Sequence, residues 1–169
     1  ETALNPTRNY AHMKILFFGD IVGKIGRHAL AKTLPEIKAE TKPDFTIANV
    51  ENIAHGFGIT PATIEELRSA GVDFFTSGNH IFKKPEAEEL VKAKDAVLLR
   101  PANFLPAMPG PDYKIIQVGS RQILIVNLIG QVFMKEEVAN PFKKIDEILK
   151  KVGPESLSGI IIDFHAEAT

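Results

Sequence analysis

Side chains with oxygen or nitrogen donors follow four apolar runs of this sequence, each about the length of a β-strand. These donors are Asp20, Glu51, Asn52, Asn79, His80 and His165. The carboxyl ends of parallel strands meet at one edge of their sheet, where α/β proteins place their active sites. We therefore expect the six side chains to converge in the folded chain.

Asp, Glu, Asn and His without Cys form a donor set suited to Mn, Fe, Mg or Zn ions bound through oxygen and nitrogen. A carboxylate can bridge two such ions held roughly 3.5–4 Å apart, and the pair then binds phosphate oxygens and activates a water molecule. A nearby histidine that is not a ligand can protonate the leaving oxygen. These residue types indicate metal-assisted hydrolysis of a phosphate ester.

Single candidates also have structural explanations. Asp20 taken alone is equally well explained as the cap of a turn, and a lone histidine such as His165 after a buried strand is more often a packing residue. Residues 51–58 are harder to explain in this way, because a glutamate directly after an apolar strand is seldom needed for folding. Asn49, just before them, is expected to hold the turn by side chain–backbone hydrogen bonds.

Composition narrows the function classes. The 169 residues suffice for one domain, and 44% of them are hydrophobic, which is typical of a folded protein. The 20 basic and 21 acidic residues nearly cancel, so binding to duplex nucleic acid is not expected. The chain has no cysteine, which excludes disulfides and thiolate chemistry. No apolar run approaches the ~20 residues that span a membrane, so we predict a cytoplasmic protein without a membrane partner.

Residues 1–12 are polar, contain Pro6 and lack the apolar segment of a secretory signal. We interpret them as a leader or tag remnant and expect the folded domain to comprise residues 13–169.

The hydrophobic pattern predicts an α/β fold. Predicted strands are 15–18, 45–50, 72–75, 96–99, 113–118, 122–128 and 159–162, and predicted helices are 26–39, 61–70, 85–94 and 141–151. Pro35 should kink or end the first helix. The early alternation of strand and helix favours parallel strands, and Gly119-Ser120 is a hairpin signature. We expect a mixed, partly parallel sheet with flanking helices.

A nucleotide-binding loop is the first alternative, since residues 19–26 read Gly-Asp-Ile-Val-Gly-Lys-Ile-Gly. This segment fits neither the phosphate-loop spacing nor the dinucleotide-binding spacing. A Rossmann-like nucleotide-binding domain is therefore disfavoured.

Four segments together resemble the YmdB-like phosphodiesterases of the calcineurin-like metallophosphoesterase superfamily. They are 17–23, 49–58, 76–80 and 163–169, and they occur in the family's order. The resemblance runs from Met13 to the last residue. It implies a two-sheet αββα sandwich and hydrolysis of 2′,3′-cyclic nucleotides or related phosphodiesters with two divalent or trivalent metal ions.

The resemblance also implies residue roles. Asp20 would bind the first metal ion and Glu51 would bridge the two ions. Asn52 would replace a superfamily histidine, because this chain has Val22 where that histidine stands.

The remaining roles concern the second ion and the leaving group. Asn79 and His165 would bind the second ion, and His80 would be the general acid. The small phosphodiester or nucleotide substrate is the expected partner.

The family pattern continues past Thr169 through a Gly-Thr-His-Thr-His segment that supplies two further histidine ligands. This sequence therefore resembles the N-terminal part of the domain, an incomplete sandwich with impaired activity and an uncovered sheet edge. We expect pairing through that edge, as a homo-oligomer or a domain-swapped assembly. The alternative function is a non-catalytic half-domain that acts as an oligomerising or interaction module.

Overall fold

Residues 12–153 and 156–168 are described by the structure, which is a computed structural model. The strands are β1 (Ile15–Phe18), β2 (Phe45–Asn49), β3 (Phe74–Thr76), β4 (Tyr113–Val118), β5 (Arg121–Ile129) and β6 (Gly159–His165). The helices are α1 (Gly23–Thr41), α2 (Pro61–Ser69), α3 (Glu86–Lys92) and α4 (Pro141–Val152). Residues 1–11 of the predicted leader lie outside the described residues.

The strands form two three-stranded sheets. In the first sheet, β1, β2 and β3 are parallel and lie in sequence order, as helical crossovers require. In the second sheet, β5 lies between an antiparallel β4 and a parallel β6. The predicted hairpin at Gly119-Ser120 is confirmed by the pairing of Val118 with Arg121.

Alternation along the strands builds four layers. Ile47 and Phe74 of the first sheet pack against Ile123 and Ile125 of the second, whereas the intervening residues face outward, because successive strand side chains point to opposite faces. The outer face of the first sheet packs against α1, α2 and α3. The outer face of β5 packs against Ile148 of α4. The structure is therefore an α/β sandwich with the layer order helices, sheet, sheet and helix, which confirms the predicted fold class.

Helix α1 corrects one prediction. It begins at Gly23 and continues through Pro35 to Thr41, whereas we expected Pro35 to kink or end it. A proline in a helix removes one hydrogen bond and costs about 3 kcal/mol. Burial of Leu30 and Leu34 against the first sheet offsets this cost, since each buried leucine contributes about 1.5–3 kcal/mol.

Two strand predictions also need correction. The predicted strand 96–99 forms a single parallel bridge, between Leu98 and Phe75. The last strand extends to His165 instead of ending at residue 162, because it pairs with β5 along its whole length. His165 is thus the final residue of β6 and not part of a loop after it.

Side-chain caps mark the starts of two helices. The Thr60 side chain caps α2, with Thr63 completing a reciprocal pair, and Pro61 occupies the first turn. The Asn140 side chain accepts hydrogen bonds at the start of α4.

Among the described residues, no helix is long and apolar enough to cross a bilayer.

A buried arginine organises the irregular segment between β3 and β4. Arg100 donates to the carbonyl oxygens of Met108, Pro109 and Gly110 and to Asp112 Oδ1 at 2.9 Å. Lys144 Nζ of α4 lies 2.7 Å from Asp112 Oδ2. Partial burial by itself raises the pKa of Asp112, but the hydrogen bonds from Lys144 and Arg100 outweigh it and hold this pKa below its usual value.

We predict that Asp112→Asn lowers the free energy of unfolding at pH 7 by about 1–3 kcal/mol, because Arg100 loses its buried anion. A depressed carboxyl pKa stabilises the fold above the unfolded-state pKa, and this contribution disappears as the pH falls through the folded-state pKa. The difference between variant and wild type should therefore shrink below about pH 4. Urea unfolding at several pH values measures it. Asp146→Asn, at an exposed site on α4, is the control, and an equally small effect of both changes would contradict the prediction.

Candidate functional site

The Glu51 carboxylate lies at the centre of the predicted site. It follows β2 and is only 2% exposed. Its Oε2 accepts the His80 backbone N–H at 3.1 Å. Its Oε1 lies 3.2 Å from His80 Nδ1 and 3.4 Å from His165 Nε2. Residues that follow β2 and β3 therefore meet the last residue of β6 at one carboxylate.

Asn52 joins this carboxylate to Asp20, which follows β1. Its Nδ2 donates to Asp20 Oδ1 at 3.0 Å and Oδ2 at 2.9 Å, and to Glu51 Oε1 at 3.0 Å. An ionised carboxylate only accepts hydrogen bonds, so these three oxygens determine which end of the amide faces them. The amide Oδ1 then lies 2.8 Å from His80 Nδ1, and this ring nitrogen is the donor.

Asn79 and His165 come from different sheets and also meet. Asn79 Oδ1 lies 3.1 Å from His165 Nε2. All six residues singled out in the sequence are therefore connected through hydrogen bonds or close polar contacts. Asp20 is exposed to solvent, whereas Glu51 and Asn52 are buried.

Buried amides beneath the site hold the two sheets in register. Asn49 Oδ1 accepts the Glu51 backbone N–H at 3.3 Å, which is the predicted support of the turn. Asn49 Nδ2 also donates to Ser77 O at 3.0 Å and to Asp163 Oδ2 at 2.8 Å. This side chain thus links the end of β2 to β6.

Sequence reasoning missed Asn127, which makes the second link. Its Oδ1 accepts the Ser77 backbone N–H at 2.9 Å, and its Nδ2 donates to Asp163 O at 3.2 Å. Asn127 is fully buried in β5. It is the one polar residue within the run 123–129, and a lone polar residue in an apolar strand was a usable signal because buried amides need partners.

Gly78 leaves space for the site. A Cβ atom at this position would lie 2.0 Å from Glu51 Oε2 and 2.7 Å from His165 Cδ2. Any side chain would displace one or both of these groups. Glycine is required here for close approach.

The donor set fits ions that prefer oxygen and nitrogen ligands, since two carboxylates, two amides and one imidazole converge. Among the described residues, no group of three or more His, Asp or Glu side chains is arranged so that it could hold a metal ion. A metal site built here therefore depends on the amides of Asn52 and Asn79.

We predict that Gly78→Ala lowers the free energy of unfolding by about 1–3 kcal/mol, as overpacking of a filled site does. It should also shift the NMR signals of the His80 and His165 imidazoles. Gly19→Ala is the matched control, because a Cβ at Gly19 meets nothing within 4 Å. Equal stability and unchanged imidazole signals in both variants would show that the space at Gly78 is not needed.

Known proteins share this arrangement of elements. The chain is 39% identical over 159 residues to the 2′,3′-cyclic-nucleotide 2′-phosphodiesterase of Bacillus subtilis, covering 93% of this chain and 58% of the relative. A crystal structure of a hypothetical protein from Thermus thermophilus superimposes with a TM-score of 0.83 at 33% identity, covering 92% of this chain and 59% of the other. A phosphatase from Mycoplasma pneumoniae gives 0.82 at 33% identity, with 92% and 56% covered.

The chain thus spans less than two thirds of the length of each of these relatives. A family model described as YmdB-like protein matches residues 16–169, which is nearly the whole described chain. The fold, the matched residues and the similarity to these proteins agree, and the chain belongs to the YmdB-like protein family.

Proposed function

We propose that the protein hydrolyses 2′,3′-cyclic nucleotides or related phosphodiesters with the help of two metal ions. The observation that carries this proposal is the convergence of two carboxylates, two amides and two imidazoles around the buried Glu51. The activity of the Bacillus subtilis relative supports the substrate class. A cytoplasmic location stays a prediction.

We propose two divalent or trivalent ions, of Fe, Mn, Mg or Zn, as the cofactors. Asp20, Glu51, Asn52, Asn79 and His165 would hold them. Such ions supply Lewis-acid activation of the phosphodiester and of the attacking water. Of these residues, Glu51 is suited to bridging, because its two oxygens face different neighbours.

Metal binding by Asn52 would require a change in the orientation of its side-chain amide. Its Nδ2 faces the carboxylates, while its Oδ1 faces His80. A cation needs the amide oxygen, so ligation by Asn52 requires the side-chain amide to turn over. The contact with His80 Nδ1 would then be remade with Glu51 Oε1, which already lies 3.2 Å away.

His80 is the proposed general acid. Its Nδ1 is directed at acceptors within the site, which leaves Nε2 as the ring nitrogen available to a substrate. A water molecule would attack phosphorus and lose one proton to solvent, the bond from phosphorus to the leaving ribose oxygen would break, and Nε2–H of His80 would protonate that oxygen. The imidazole recovers its proton from solvent, since its side chain is 24% exposed.

We predict that Glu51→Gln weakens Mn²⁺ binding by at least about 100-fold, because loss of a charged ligand costs more than loss of a supporting residue. His80→Ala should keep Mn²⁺ affinity within about tenfold and lower kcat on 2′,3′-cyclic AMP by about 10²–10⁴-fold. Calorimetry with Mn²⁺ and chromatographic measurement of the adenosine monophosphate formed from 2′,3′-cyclic AMP quantify the two effects.

His28→Ala is the control for both assays, since His28 lies exposed on α1 beside Glu66. If Glu51→Gln binds Mn²⁺ as tightly as wild type, the proposed metal site is wrong. If His80→Ala keeps full turnover in a chain that binds metal, His80 is not the general acid.

The alternative is an interaction module, and β6 favours it. This strand lies at the edge of its sheet. Its outward residues Ile160, Ile162 and Phe164 are 41%, 44% and 45% exposed. An edge strand with an exposed apolar face can pair with another chain. We propose homo-oligomerisation, including domain swapping, through β6 as the second candidate function.

We predict that Ile162→Lys abolishes a concentration-dependent dimer, because a charge on the apolar face opposes strand pairing. Light scattering over a concentration series measures the mass. Ile115→Lys is the matched control, since Ile115 is 41% exposed on β4, at the other edge of the same sheet. A wild-type chain that stays monomeric throughout rules out this alternative.

A further inference from the structure

An exposed phenylalanine lies beside the proposed general acid. Phe57 is 59% exposed. The centre of its ring lies 5.0 Å from that of the His80 imidazole, with an angle of 76° between the two planes. Such an edge-to-face contact occupies at most one face of the phenyl ring. A flat apolar surface therefore remains open next to the imidazole proposed to protonate the leaving group.

The loop that carries Phe57 is held by its own backbone. Gly58 N–H donates to Glu51 O at 2.7 Å, and Ala54 N–H donates to Gly58 O at 3.0 Å. Gly56 and Gly58 have φ angles of +91° and +80°, which glycine adopts without strain. The backbone of the loop is thus held in one conformation, and little backbone entropy remains to be lost on binding.

Neighbouring segments fix the same loop from both sides. A Cβ atom at Gly58 would lie 2.9 Å from Lys84 Cγ, so the loop packs tightly on the segment that follows His80. On the other side, the Arg27 guanidinium donates to Ile53 O and pairs with Glu66 at 2.7 Å. The backbone at Phe57 is therefore held in place relative to both His80 and Glu51.

Because this ring is exposed, it contributes little to the stability of the fold. The phenyl group leaves most of its apolar surface in water, whereas other phenylalanines of the chain, such as Phe74 and Phe75, are buried in the core. Single exposed apolar residues are common on protein surfaces. This one differs because the loop that carries it is held by backbone hydrogen bonds and its ring packs against His80.

We propose that Phe57 stacks on the base of the nucleotide and so makes the site prefer nucleoside phosphodiesters to phosphodiesters without a base. This inference rests on the proposed function, since it assigns the substrate's base to a surface beside the same site. Every base has a π face, so stacking on one phenyl ring favours nucleotides as a class without selecting one base.

The test compares two ligands on the Mn²⁺-loaded chain, namely 2′,3′-cyclic AMP and ribose 2,3-cyclic phosphate, which lacks the base. Phe57→Leu keeps an apolar side chain but removes the π face. It should weaken binding of the nucleotide by roughly 5- to 150-fold, and binding of the base-free ligand by less than about twofold. Phe57→Trp keeps a π face and should bind the nucleotide as tightly as wild type does. Calorimetry measures the affinities.

A fluorescence readout separates stacking from a structural role. A 2-aminopurine analogue of the cyclic nucleotide should be quenched by wild type and by Phe57→Trp, but not by Phe57→Leu. Phe133→Leu is the matched control, because Phe133 is also exposed, at 83%, and does not belong to the site. It should leave both affinities and the quenching unchanged.

The outcomes distinguish this inference from the proposed function. If wild type binds neither ligand, the proposed function fails and the inference fails with it. If both ligands bind but Phe57→Leu weakens both equally or neither, the proposed function stands and stacking on Phe57 is wrong.

Discussion

Burial of the Glu51 carboxylate is the constraint on which the rest of the structure depends. An ionised carboxylate removed from water is strongly destabilised unless charged or hydrogen-bonding groups replace its hydration. Here the replacement comes from the His80 backbone N–H, the Asn52 amide and two imidazoles. These groups belong to three different strand ends, so the carboxylate is stable only when both sheets are assembled around it. Gly78 is needed for the same reason, since any side chain there would overlap Glu51.

The two sheets are joined below this carboxylate by polar contacts inside an otherwise apolar sandwich. Asn49 and Asn127 each bond to Ser77 and to Asp163, which lie at the ends of β3 and β6. In a buried environment such a network stabilises one relative placement of the sheets, because any slip leaves amides unpaired. The same contacts therefore determine both the geometry of the site and the packing of the two sheets. The backbone that carries Phe57 is also held by this arrangement, through the loop that begins at Glu51.

Most helices and strands were predictable because the local sequence signals agree with the way their side chains are buried in the fold. The run 15–18 is apolar on both sides and forms β1, and Thr60-Pro61 begins α2 through its own capping chemistry. The error at Pro35 has a tertiary cause, since burial of Leu30 and Leu34 outweighs the missing hydrogen bond. The role of Asn127 was not predictable from its type alone, because its partners are fifty and thirty-six residues away.

The sequence by itself predicted most of the elements and singled out the six polar side chains, because strand length, capping and residue chemistry are local properties, and four motifs indicated the family. Only the tertiary structure decided which atoms meet. It directs Asn52 Nδ2 at the carboxylates and Oδ1 at His80, and it brings His165 of the second sheet to Glu51 of the first. It also leaves Phe57 exposed beside His80. These facts depend on contacts between residues far apart in the chain, and such contacts form only when the strands assemble into sheets and the two sheets pack face to face.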